Sequence, residues 1–80
     1  MNSFWVEFKS GTTIGKITAG LAAVPASNIT SDDDTWFFDA TWGTTQKDLN
    51  NLRGRIETKS GAGSVADIGE QGESDSSSSD

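Results

Sequence analysis

The stretch from Thr35 to Ile56, TWFFDATWGTTQKDLNNLRGRI, constrains this chain more than any other part of it. It holds four of the seven aromatic residues and the clearest helical pattern. Trp36, Phe38, Ala40 and Trp42 alternate with Phe37, Asp39 and Thr41. A period of two marks a strand with one buried face, and Trp, Phe and Thr suit a pleated surface. The buried face is expected to carry Trp36, Phe38 and Trp42. Phe37 is the one large apolar group on the opposite face. Gly43 breaks the strand. Thr44 or Thr45 then caps a helix, because a hydroxyl there accepts a hydrogen bond from a free N–H of the first turn. Asp48, three residues after Thr45, forms a weak capping box where the helix dipole favours negative charge. Leu49, Leu52 and Ile56 follow at helical spacing. Gly54 is expected to stop this helix as a left-handed residue, leaving Arg55 to Lys59 for a last short strand. The alternative is a helix running to about Lys59 with Gly54 inside it, at a cost of roughly 1 kcal/mol.

Upstream, SFWVEFK (residues 3–9) reads as a strand with Phe4, Val6 and Phe8 on its core face. Trp5 shares the other face with Glu7 and Lys9. It is expected to lie half-buried against a loop; the alternative is an exposed anchor, since Trp is enriched at binding hot spots. Lys9-Ser10-Gly11-Thr12 is a turn signal. Thr13 to Leu21 fits a strand, with Ile17, Ala19 and Leu21 on one face, and would form a hairpin with the first strand. It also fits a helix, with Ile14, Ile17, Leu21 and Val24 in register. Gly15 and Gly20 weigh against the helix, so the hairpin is the expected form. Pro25 to Thr35 reads as a polar connection. Asp32-Asp33-Asp34 within it lacks the alternating ligand spacing and turn glycine of a calcium loop, and is expected to be solvated.

From Ser60 onward Gly and Ser dominate and aromatics are absent. Such composition predicts a flexible tail. Residues 61–80 contain five acidic and no basic residues, against seven acidic and six basic in residues 1–60. The net charge of −6 therefore divides into −1 and −5, and most of the acidity belongs to the tail. Val65 and Ile68 are its only large apolar residues, and a short V-A-D-I element could dock onto a neighbouring subunit.

The chemistry is narrow. There is no Cys and no His, hence no disulfide, no thiol or Ser–His nucleophile, and no ordinary zinc site. No catalytic residue, metal ligand or cofactor is implied. Nothing selects a working pair among Glu7, Asp39, Asp48 and Glu57, so an enzyme is not expected. Aromatic strands can stack single-stranded bases, but six basic residues against seven carboxylates suit phosphate contacts poorly. No run approaches the roughly 20 apolar residues that span a membrane. The N-terminus, MNSFWVEFK, has no secretory pattern. The chain reads as a whole small gene product, cytoplasmic or assembled into a particle.

The expected fold is α+β: a small three- to four-stranded, mostly antiparallel sheet with one short helix in residues 1–60, then a disordered acidic tail in 61–80. Below about 70–80 residues, a core without staples seldom supplies more than roughly 3–5 kcal/mol. Seven aromatics by residue 42 are many for so small a core, so part of that surface is expected to face another chain. The expected function is a non-catalytic protein-interaction module, a structural or accessory subunit of an assembly such as a virus or phage particle. The alternatives are a free protein that binds and inhibits one target, and a weak single-strand nucleic-acid binder. Trp5, Phe37, Val65 and Ile68 are the candidate contacts to a protein partner or to a second copy.

Overall fold

Phe4, Val6 and Phe8 are buried and alternate with Trp5 and Glu7 along strand β1, Asn2–Phe8. The structure, a computed structural model, describes residues 1–71. The remaining elements are α1 (Ile14–Ala22), β2 (Ser27–Asp32), β3 (Thr35–Ala40), α2 (Gln46–Ser60) and β4 (Val65–Glu70). The strands form one sheet in the order β2-β3-β1-β4, every neighbouring pair antiparallel. β1 and β2 are joined through α1 with β3 lying between them. This is the split βαβ, or ferredoxin-like, arrangement.

Both helices cover the same face of the sheet. Phe4, Val6, Phe8, Phe38 and Ala40 point to that face and share one core with Ile17, Leu21, Leu52 and Ile56. Phe4 and Phe38 are register partners, with ring centroids 5.8 Å apart. The α+β class and the mostly antiparallel sheet are as expected. The helix count, two rather than one, is not.

Residues 14–22 form α1, where a hairpin strand was expected. Ile17, Gly20, Leu21 and Val24 are buried at helical spacing, and Thr13 caps the helix by accepting the Lys16 N–H. Gly20 is no helix breaker here. A Cβ at this position would lie 2.9 Å from Ile56 Cγ2 and 3.0 Å from the Ile56 carbonyl oxygen. Only hydrogen fits where α1 crosses α2. Ile14, counted in the helical register, stays 64 % exposed.

Helix α2 begins as expected. Thr45 accepts the Asp48 N–H at 3.1 Å, and its own hydroxyl donates to the Asp48 carboxylate at 2.8 Å. It does not stop at Gly54. The helix runs on to Ser60 and ends at Gly61, whose φ of 111° suits glycine. Ile56 and Ser60 are buried one and two turns beyond Leu52, so continuing the helix extends the buried stripe. No strand forms at 55–59.

Trp42 lies beyond the end of β3 rather than on its buried face. It is half-buried in the loop before α2, where its Nε1–H donates to the Asp48 carbonyl at 3.0 Å and its own carbonyl accepts from Asn2 Nδ2 at 2.7 Å. A Cβ at Gly43 would collide with the Asp48 carboxylate that engages the cap. The polar connection after Pro25 contains edge strand β2, and Asp33-Asp34 is the turn between β2 and β3.

Strand β4 corrects the expected boundary at residue 60. Residues 65–70 pair with β1 and complete the domain. Val65 is fully buried in the chain's own core and Ile68 packs against it, so this element docks on β1 rather than on a neighbour. Two side chains of α2 hold its first residue. Arg53 Nη2 donates to the Val65 carbonyl at 2.9 Å, and the Val65 N–H donates to Glu57 Oε2 at 3.2 Å. The part of the expected tail that spans 72–80 lies outside the described residues.

Candidate interaction face

Alternation along the strands sends every second residue to the face opposite the helices. The register arranges these residues in three rows. The middle row runs Thr30–Phe37–Trp5–Gly69 across β2, β3, β1 and β4. One flanking row is Asp32–Thr35–Glu7–Asp67, and the other contains Ser27, Asp39 and Ser3. Two aromatic side chains thus sit at the centre of this face, on its two central strands.

Trp5 and Phe37 are direct register partners and both are half-buried. Trp5 rests on its own sheet, not on a loop. A Cβ built on Gly69 would come within 2.7–2.8 Å of its indole atoms, so the ring lies flat over that glycine. Glycine leaves a gap in an edge strand, and an aromatic from the neighbouring strand fills it. One indole face is thereby used by the fold, and the ring is held in place. Of the four candidate contacts, only Trp5 and Phe37 are brought together on the open face. Val65 and Ile68 belong to the other side.

The surroundings are acidic. Glu7, Asp32, Asp39 and Asp67 are strand residues of this face, and none of its strand residues is basic. Lys9 lies past the end of β1. Glu7 and Asp67 are directly opposite each other, and like charges so placed work against the pairing of their strands.

Asp39 is tied down. Ser3 Oγ donates to its Oδ1 at 2.6 Å, and Asn28 Nδ2 donates to its Oδ2 at 2.8 Å. Asn28 reaches it because the register shifts between Ser27 and Thr30 and Asn28 takes φ 51°, a conformation Asn tolerates. The Ser3 hydroxyl first, then the Asn28 amide, hold the Asp39 carboxyl below the ordinary aspartate value of 3.8. A depressed folded-state value means that the unfolded chain binds the proton more readily. The stabilisation is complete above the unfolded value and is lost as pH falls through the folded one. Asp39→Asn is therefore expected to flatten the acid limb of the stability curve below about pH 4. Urea midpoints of both proteins from pH 5 downward check this, and parallel curves would contradict it.

Among the described residues, shallow hollows lie beside the helices. One, of about 490 Å³, is lined by Trp42, Asp48, Asn51 and Arg55 among others. Another, of about 280 Å³, lies between the loop after β1 and the end of α2. Both are open and polar. Among the described residues no group of three or more Asp or Glu is placed to hold a metal ion, and no helix is long and apolar enough to cross a membrane.

No family model, no curated protein and no solved structure matches this chain. Its functional reading therefore stands on the geometry above, because a shared topology does not carry a function.

The strand pattern in the sequence singles out Trp5 and Phe37 by their place on otherwise polar faces. It does not show that Glu7, Asp32, Asp39 and Asp67 surround them. Alternation alone puts Glu7 with Trp5 and Asp39 with Phe37. Bringing the two pairs onto one surface requires the β1–β3 register, which no local pattern encodes.

Proposed function

We propose that this chain is a non-catalytic interaction module that binds a protein partner through the open face of its sheet. The observation that carries this reading is the Trp5–Phe37 pair, centred on the two middle strands and flanked by carboxylates. Aromatic anchors in the middle of a contact supply most of its energy, while surrounding charges steer and select. The fitting partner presents an apolar or cationic centre flanked by Lys or Arg. Both a subunit of a larger assembly and a free protein that occludes one target use a face in this way. The virus or phage setting rests on composition, and the fold adds nothing to it.

The test is a titration of isotope-labelled protein with a peptide carrying Leu among Lys residues, beside one with Glu in place of Lys. Amide shifts are expected along the Trp5 and Phe37 rows with the basic peptide only. Trp5→Ala and Phe37→Ala should each weaken binding by about 2 kcal/mol or more while leaving the dispersed spectrum of a folded chain. Equal binding of the acidic peptide, or shifts confined to the helices, would refute the reading.

A second reading is favoured by the same pair. One RNA-binding module, itself a four-stranded sheet, stacks single-stranded RNA bases on aromatics of its strands. The four carboxylates oppose it, because phosphate contacts supply most non-specific affinity. Tryptophan quenching by an oligonucleotide, weakening with salt and lost in Trp5→Ala, would support it over the protein partner.

A further inference from the structure

The strand residues of the open face include carboxylates and no cation, whereas α2 on the other side carries most of the basic residues. The open sheet face carries Glu7, Asp32, Asp39 and Asp67. On the helix side, Lys47, Asn51, Arg55 and Lys59 recur every four residues along α2, and all four are exposed. The only ion pair among the described residues is Arg53–Glu57, which leaves these three cations without one. Asp48, the one acidic group near the start of the stripe, is engaged in the helix cap. The two surfaces lie on opposite sides of the sheet, so one copy cannot satisfy its own stripe with its own face.

The geometry points to a head-to-tail contact between two copies of this chain, in which the open sheet face of one receives the α2 stripe of the next. This rests on the interaction reading above and names its partner. Spacing supports it. Stripe residues are about 6 Å apart along the helix. The three rows of the open face are about 7 Å apart along the strands. With Arg55 over the Trp5–Phe37 row, Lys59 meets the Asp32–Glu7–Asp67 row and Asn51 meets the Ser3–Asp39 row. A guanidinium over an indole gains from the ring's negative face. Lys59 also relieves the Glu7–Asp67 repulsion. A two-fold contact of face on face would instead press carboxylates together. The two surfaces differ, so the contact is heterologous and propagates from copy to copy. A four-stranded face six residues long offers roughly 400 Å², well below the roughly 800 Å² per partner of a standard interface. The contact is therefore weak and salt-sensitive.

The test uses the full chain in sedimentation velocity at low and high salt over a wide concentration range. Wild type is expected to grow with concentration and to revert to monomer in high salt. Arg55→Ala with Lys59→Ala removes the stripe; Trp5→Ala with Phe37→Ala removes the face. Each double variant should associate at least about tenfold more weakly than wild type, compared at a temperature where circular dichroism shows it folded. Mixed in equal amounts, the two variants should form a dimer and nothing larger, because one retains a working face and the other a working stripe. A wild type that stays monomeric throughout overturns the inference, and the peptide titration then decides the interaction reading alone. Association abolished by the face variant but not by the stripe variant also overturns it, while leaving the open face as the binding surface. Association that survives both overturns it as well.

Discussion

A chain ending at Ser60 is expected to lose the cooperative unfolding transition that a chain ending at Gln71 retains. The shorter chain lacks β4 and with it Val65, which is fully buried, and Ile68, which packs against the core. Burial of an aliphatic side chain of this size is worth about 1.5–3 kcal/mol. The loss also uncovers one edge of β1, where β4 residues pair from Phe4 to Phe8. Arg53 and Glu57 lose the Val65 backbone groups that they bond. Summed, this is on the order of 5 kcal/mol, about the whole stability available to a domain of this size. Thermal melts followed by circular dichroism compare the two truncations. Equal midpoints would show β4 to be dispensable.

Gly20→Val is expected to destabilise the fold by about 3 kcal/mol, the upper end for overpacking. The new Cβ meets Ile56 Cγ2 at 2.9 Å, the Ile56 carbonyl oxygen at 3.0 Å and Ser60 Cβ at 3.2 Å. The carbonyl belongs to a helix backbone and cannot rotate away, so α1 and α2 must separate. Ile17 and Leu21 on α1 and Leu52 on α2 belong to the core that this separation disturbs. Gly54→Ala is the control. Nothing lies within 4 Å of a Cβ there, and the exchange should stabilise the helix by about 1 kcal/mol. Denaturant midpoints moving in opposite directions confirm the assignment. A neutral Gly20→Val would mean that the helices do not cross at this residue.

These glycines explain much of what the sequence conceals. Gly20 and Gly54 look alike in sequence, and both suggest a break in a helix. One is required by a helix crossing and the other merely tolerated in solvent, and only the packed structure separates them. The strands divide in the same way. β1 and β3 are legible because they are central and bury Phe4, Val6, Phe8, Phe38 and Ala40 at period two. β2 is an edge strand with no buried residue, so SNITSD carries no periodic signal. β4 is the other edge. Its core residues Val65 and Ile68 are three apart because the register shifts where β4 meets Glu7 and Phe8, and this spoils the alternation. Glycine, serine and acid around them then give the composition of a tail. The aromatic pair of the open face was visible residue by residue, whereas its acidic surround depends on pairings between distant strands.

The central position of β1 has a further consequence, for the timing of folding. The segment SFWVEF, rich in strand-forming Phe, Trp and Val, precedes both of its sheet partners in the chain, and it completes its pairing last. Its neighbour β3 begins at Thr35, and Phe8 pairs with Val65, 57 residues later. At about 5–20 residues per second of synthesis, the β4 edge of β1 stays unpaired for about 3–11 s. An apolar strand left open that long is a template for pairing with other chains. Within the segment Glu7 is the only charge. The carboxylate that repels Asp67 in the finished sheet thus also acts earlier, keeping the nascent strand from pairing with its copies.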